Sequence, residues 1–361
     1  MVKLSKLVLS FLFALCILPP PVFAAAENTR AAWPFFWSTD KDTLKPVNLL
    51  RGKEILAMLL PAATGENNPP PISILTTDID KRVKTETRSS APGPGSENPL
   101  KASRLELFTG TSLMNLGYTE FGSDGAWYDG EMGMLPGLLL GGTVYWPNGY
   151  LALELNTYFG DVGYRGQTQS FKSPSLSGLP VNSRSDANIF DTTAIAGYRF
   201  SALTLYGGFG YYFWRRNIRP TTLNTGLPVA GMLEFYSWSY ALLGTNIPML
   251  SIRGSHIHLD VRAMRMLQAN MDVNFLGYGG YDNARLNLGE DWGLRLALPW
   301  TFRSSSNGPT ITIEPWYSRW NLNRSDAVEL ITNGTYTGSV VQEPQSETRN
   351  FGISIYFRFL I

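Results

Sequence analysis

The stretch that most constrains this chain is its last, residues 350–361, which reads NFGISIYFRFLI. Its odd positions, Phe351, Ile353, Ile355, Phe357, Phe359 and Ile361, are large and apolar. Its even positions, Gly352, Ser354, Tyr356, Arg358 and Leu360, are mostly small or polar. A period of two is that of a β-strand with two unlike faces. A strand of a soluble sandwich rarely carries so long a greasy row, whereas a barrel strand in lipid does, because its outer face meets hydrocarbon. The expected fold is therefore all-β: a transmembrane antiparallel up-and-down β-barrel closed by this strand.

The other end of the chain agrees with that compartment. Lys3 and Lys6 precede an apolar run over 7–18, followed by Pro19, Pro20 and Pro21 and then Val22, Phe23 and Ala24. Residues 1–24 read as a secretory signal peptide cleaved after Ala24. The run is shorter than the ~20 residues a spanning helix needs. Leu15, not a small residue, precedes Cys16, which argues against a lipoprotein signal. Cys16 is the single cysteine, so the mature chain has none. Disulfides, thiolate catalysis and cysteine-held metal or haem are thereby excluded, and no cofactor is expected. A formal net charge of +1 offers no basic field for nucleic acid. Aromatic residues at 13% and 35 glycines, without a later long apolar run, favour a barrel over a helical membrane protein.

Residues 25–103 differ in composition from the rest of the chain. They contain the run WPFFW at 33–37, three prolines at 69–71, a charged run over 78–88 and the segment APGPG at 91–95. Such composition cannot bury a large core and reads as a loosely ordered periplasmic extension. Ile55, Met58 and Leu59 give a short helix over 51–60 an apolar stripe for docking on a periplasmic partner or plugging the barrel.

From 104 to 361 period-two segments recur. Strands are expected at 104–118, 131–146, 150–162, 187–200, 203–216, 231–244, 250–267, 289–302, 310–322 and 349–361, about ten within a range of 8–12. The connections after the even strands are short: 147–149, 201–202, 245–249 and 303–309. Those after the odd strands are longer, up to 323–348. Short turns at one rim and long loops at the other are the pattern of outer-membrane barrels. The third strand offers Leu151, Leu153, Leu155, Thr157 and Phe159 to lipid. The eighth offers Trp292, Leu294, Leu296, Leu298 and Trp300, its tryptophans placed for the two interfacial girdles. The seventh turns Ile257, Leu259, Val261 and Ala263 outward. Trp214, Arg215, Arg216, Tyr236, Trp238 and Tyr240 are assigned to the interfacial belt, with a ligand-binding mouth as the alternative.

The segment from Asn350 through Gly352 and Ile355 to Phe357 resembles the C-terminal assembly signal of bacterial outer-membrane proteins. That resemblance implies recognition by the barrel assembly machinery and the outer membrane of a Gram-negative bacterium. Here Arg358 to Ile361 run on past the aromatic on which the signal usually ends.

Chemistry concentrates on the inward faces. Both histidines, His256 and His258, share a strand face with Asp260 and Arg262. Such a pair can bind a transition metal or work as a base. The stronger expectation is a polar network filling a narrow lumen, made of Glu154, Asp191, Arg199, Glu234, His256, His258, Asp260, Arg262, Arg295, Glu314 and Arg358, with Arg358 meeting Glu154 or Glu314. No catalytic or metal-ligating set is assigned. About ten strands also resembles the omptin proteases in layout, but the paired acids of that family are missing beside Asp161. Ser255 and His256 are neighbours in sequence and point to opposite faces, which argues against a lipid-modifying site. The expected role is non-enzymatic, porin-like or surface-interacting with a narrow polar lumen; the alternative is a barrel hydrolase, omptin-like or lipid-modifying.

Overall fold

A computed structural model of the chain describes residues 104–169, 174–252, 255–303 and 308–361. All of them belong to the second of the two units into which the chain divides, Met1–Glu97 and Asn98–Ile361. The expected signal peptide, the 25–103 extension and its helix lie outside the described residues.

The strands are β1 (Arg104–Phe121), β2 (Trp127–Trp146), β3 (Gly149–Gln167), β4 (Pro180–Arg199), β5 (Thr204–Ile218), β6 (Thr221–Thr222), β7 (Pro228–Val229), β8 (Met232–Ile252) and β9 (Ser255–Asn274). They continue as β10 (Ala284–Gly289), β11 (Trp292–Ala297), β12 (Trp300–Arg303), β13 (Thr310–Leu322), β14 (Val328–Thr332), β15 (Thr335–Val341) and β16 (Gln345–Leu360). β10, β11 and β12 form one interrupted stave. With it, β1, β2, β3, β4, β5, β8, β9, β13 and β16 pair antiparallel in sequence order, and β16 returns to β1. The result is a closed ten-stranded barrel. β6–β7 and β14–β15 are hairpins on its long-loop rim.

The closing seam is the one expected of the terminal strand, from Glu106 opposite Leu360 to Phe121 opposite Gln345. Phe351, Ile353, Ile355, Phe357 and Phe359 all lie exposed on the outside, and Ser354 and Tyr356 are buried inside. The outward rows of the third, seventh and eighth expected strands take the faces their period assigned. Trp292 and Trp300 stand at the two ends of their outward apolar row, both exposed. The exterior is a lipid-facing surface.

Two expectations need correction. The connection placed at 245–249 is strand: β8 runs on to Ile252. Pro248 resembles a turn signal, but the register shift between Pro248 and Leu250 absorbs it as a bulge. The strand expected over 250–267 accordingly begins at Ser255 and ends at Asn274. The stave expected over 289–302 is broken twice, at residues 290–291 after Gly289 (φ 70°) and at Leu298–Pro299, where proline has no ladder donor. Backbone bonds across the breaks, Met266 N–H to Asp291 O and His258 N–H to Pro299 O, keep the sheet continuous.

Strands also run further toward the long loops than expected. β4 has 20 residues and begins at Pro180 instead of at 187, whereas a strand needs only ~9–11 to cross the hydrocarbon. The surplus lies on the long-loop side, where outward faces carry charge. Asp161 and Asp186 sit opposite each other on β3 and β4, bridged by Arg219, with Arg184 also on Asp161, and Asp272 pairs with Arg285. Such residues are costly against lipid, so this part of the barrel stands in water.

Candidate functional site

The interior is stacked in layers, and inward glycines make room for them. Gly137, Gly197, Gly210, Gly244, Gly293 and Gly352 stand directly opposite Tyr158, Tyr150, Tyr240, Tyr206, Trp320 and Trp316. Each ring lies over its glycine so closely that an added Cβ would come within 2.1–2.6 Å of a ring atom. Glycine is required there for space. The Gly-aromatic alternation in the sequence is the trace of this packing.

The layer nearest the short turns is ionic. Arg262 donates from Nη1 to Glu154 (2.9 Å) and from Nε to Asp260 (3.0 Å) and to the Tyr206 hydroxyl (3.1 Å). Tyr206 in turn donates to Asp260 (2.7 Å). Arg295 lies 3.6 Å from Asp260 and donates to Glu314, which also accepts from Tyr356 (3.0 Å). Arg358 donates to the Tyr356 hydroxyl (3.3 Å) and to Glu106 (2.6 Å). Glu154, Asp260, Arg262, Arg295, Glu314 and Arg358 are thus joined in one chain of contacts. The carboxylate of Arg358 is Glu106 on the neighbouring β1, not Glu154 or Glu314.

The remaining residues assigned to this network lie apart from it. Asp191 accepts from Tyr240 (2.7 Å) a layer higher. Arg199 is exposed at the last residue of β4, on the turn rim, because the strand ends before the lumen begins. Glu234 belongs to the opposite end of the barrel, since β8 ascends from its turn-side end at Ile252 to Met232. His256 is exposed with its Nδ1 3.0 Å from Ser251 Oγ, and its ring centroid is 6.5 Å from that of His258. His258 Nδ1 is buried without a hydrogen-bond partner. Neither histidine hydrogen-bonds a carboxylate among the described residues, so no acid orients a catalytic tautomer. No group of three or more His, Cys, Asp or Glu among the described residues is placed to hold a metal ion.

Above the ionic layer the lumen is aromatic. Trp238 stacks on Tyr212 (4.2 Å, 12°) and meets Trp320 edge-on (5.5 Å), which also meets Tyr240 (5.1 Å). Trp214, Tyr236, Trp238 and Tyr240 are at most 1% exposed. Their assignment to the interfacial belt is corrected: they face inward, and Phe209, Tyr211 and Phe213 face out. Both faces of β5 are aromatic, so aromatic content alone does not separate lumen from lipid. Between the two layers remains a cavity of about 50 Å³ lined by Asn156, Tyr158, Asp191, Arg295, Trp316 and Ser354. That is room for a few water molecules.

A second ionic centre closes the long-loop end. Arg216 is 1% exposed and donates to Glu131 (2.8 Å), Glu234 (2.8 Å) and Glu120 (3.1 Å), with Asp129 at 3.7 Å. Its guanidinium lies 4.7 Å over the Tyr118 ring. Glu343, in the loop before β16, accepts from Tyr236 (2.7 Å) and Tyr118 (3.0 Å). Tyr118 also faces Glu120 (2.9 Å), and Tyr236 faces Glu234 (3.4 Å). Two phenolic protons thus serve three carboxyls, and Glu343 is the one without a contact to Arg216. Burial, with Glu120 and Glu234 beside it, pushes the Glu343 carboxyl well above the usual carboxylate range. Leu330 of β14 is fully buried over this end, with Phe275, Val328 and Val341 in the same apolar cluster.

Of this centre only Glu234 was assigned to the lumen from sequence, while Arg216 and Tyr236 were placed in the interfacial belt. Extending the period of the first strand forward from 118 and that of the second back from 131 places Glu120, Asp129 and Glu131 on the inward face of one hairpin, which was the available signal. Their meeting with Arg216 across the lumen depends on the closure of the barrel.

No protein-family model matches the sequence, and no curated protein matches it. Solved structures with a similar barrel include the outer membrane protease OmpT from Escherichia coli, at 10% identity and a TM-score of 0.47 over 73% of this chain and 98% of that one. The outer membrane protein OprG from Pseudomonas aeruginosa matches at 12% identity and a TM-score of 0.31, over 72% and 97%. Neisserial surface protein A matches at 10% and 0.28, over 70% and 96%. At these values none of them carries a role over to this chain.

Proposed function

We propose that this chain is a non-enzymatic outer-membrane β-barrel protein of a Gram-negative envelope, acting at its surface through its long loops. Of the two roles compatible with such a barrel, conduit or interaction scaffold, the interior favours the second. The observation that carries this is the stacking of buried aromatic rings from Tyr212 through Trp238 to Trp320 across the lumen, beneath the Arg216 centre. At ten strands the inward side chains are enough to fill a barrel, and here they do so at native contact distances. The β14–β15 hairpin and the loops beside it lie over the filled barrel and offer exposed Leu276, Tyr278, Tyr336 and Val340. The lipid bilayer is the partner of the exterior, and the barrel assembly machinery that of the terminal strand, with Gly352, Ile355 and Phe357 in its alternating pattern. A periplasmic partner remains the proposed role of 25–103.

Planar-bilayer recording of the purified, folded protein tests this reading. A sealed barrel gives no channel openings. Steady unitary conductance from folded protein would overturn it and restore the conduit.

A further inference from the structure

On the outer face, Arg319 of β13 and Arg349 of β16 stand directly opposite each other in register. Like charges so placed repel, and the sheet tolerates them only with a compensating anion. One is present: the Glu347 carboxylate, 8% exposed and one outward position nearer the long loops, takes Arg319 Nε at 2.7 Å and Arg349 through Nε and Nη2. Asn321 also accepts from Arg319 Nε (3.2 Å). Two guanidiniums on one carboxylate leave an excess positive charge. Among the described residues, Arg319 Nη1 and Nη2 and Arg349 Nη1 make no hydrogen bond. Both side chains are about half exposed.

Their height sets what they meet. Below them the outward pairs on the same two strands are Tyr317 with Phe351, Pro315 with Ile353, Ile313 with Ile355 and Ile311 with Phe357, and Phe359 and Ile361 continue the column. From Phe351 to Ile361 is ~33 Å of strand at ~3.3 Å per residue, or ~25 Å along the membrane normal at a tilt of ~40°. That matches the usual apolar height of an outer-membrane barrel, ~25 Å. Arg319 and Arg349 are therefore the first outward residues beyond the hydrocarbon, at the level of lipid headgroups. On the adjoining staves Trp292, opposite Arg265, marks the same boundary, with the Arg265 guanidinium 5.1 Å over its ring.

We propose that Arg319 and Arg349 form a binding site for the phosphate of a membrane-lipid headgroup. A tetrahedral phosphate accepts from two guanidinium edges at once, which an ammonium or a single arginine cannot offer. The acyl chains of the same lipid would lie along Phe351, Ile353 and Tyr317, so one molecule satisfies both halves of the surface.

The test uses the full chain folded in uncharged detergent and short-chain phosphatidic acid as the probe, with bound lipid counted by native mass spectrometry. The double variant Arg319→Gln/Arg349→Gln is expected to bind about tenfold or more weakly, each guanidinium contributing a charge-assisted pair. Arg285→Gln, which removes an outward arginine elsewhere, should bind as the parent does. Oleate, anionic without phosphate, should bind equally to parent and double variant. Unchanged phosphatidic acid binding in a double variant that keeps its folded mobility on an unboiled gel would overturn the site. An equal loss of oleate binding would overturn the phosphate assignment. Inorganic phosphate competing at the same concentration as the lipid would overturn the lipid as its source.

Discussion

Replacing Arg216 with methionine tests how the long-loop end is held. Arg216 is the single buried cation among four buried carboxylates, three of them within 3.1 Å. Methionine keeps apolar volume over the Tyr118 ring and removes the charge. Breaking a buried ion pair by deleting one partner costs ~3–5 kcal/mol, because the other charge stays desolvated. The alternative, protonating a carboxyl of ordinary acidity at neutral pH, costs ~1.4 kcal/mol per pKa unit and hence ~3–4 kcal/mol for each group neutralised. Both routes put the loss at ~3–5 kcal/mol. The assay is urea unfolding of the detergent-folded barrel, followed by gel mobility and by the fluorescence of its tryptophans, of which Trp214 packs against Tyr118 (5.1 Å). Adding Glu120→Gln, Glu131→Gln and Glu234→Gln to Arg216→Met removes the three carboxylates nearest the lost cation and should recover most of the loss. A deficit below ~1 kcal/mol in Arg216→Met, or no recovery in the quadruple variant, would show that this centre does not hold the loops as argued.

Other perturbations probe the remaining layers. Because the Glu343 carboxyl is raised in the folded state, its neutral form supports the docked loop; that support is complete at acidic pH and is lost as pH rises through the raised value. Amide protection over 323–344, taken relative to the intrinsic exchange rate at each pH, should accordingly fall on going from mildly acidic to alkaline pH, and Glu343→Gln should remove that fall; identical protection profiles would refute it. Gly210→Val places a Cβ 2.2 Å from Tyr240 Cζ, displaces the ring from Asp191 and should cost ~1–3 kcal/mol in thermal stability on unboiled gels. Trp238→Ala with Trp320→Ala empties the aromatic layer, should cost ~3–5 kcal/mol per site, and should convert a silent barrel into one with measurable conductance. Silence in that variant, if folded, would place the seal at the Arg216 centre instead.

What sequence alone determined here is everything that repeats locally. The alternation in 350–361 set which residues face outward, since side-chain direction flips with each residue of a strand whatever its partners. The same period assigned the outward rows of β3, β9 and β11, and the alternation of turn and loop lengths implied an even count with both strand ends on one rim. It misled at Pro248, where a bulge and a turn carry the same local signal, and at Trp214 and Tyr236, where both faces of a strand are aromatic and composition cannot assign them.

Only the tertiary structure decided which inward residues meet. Arg358 finds Glu106 through the closing seam, Glu234 and Arg216 meet at the opposite end from Arg262, and Asp191 is drawn to Tyr240 instead of to an arginine. Those pairings join residues up to 252 positions apart in sequence. They are set by the register of ten staves around a closed circuit, which no local period encodes. The same closure turns a row of tyrosines and tryptophans into a seal, and leaves the terminal strand carrying hydrocarbon contacts outside and one end of an ion-pair chain within.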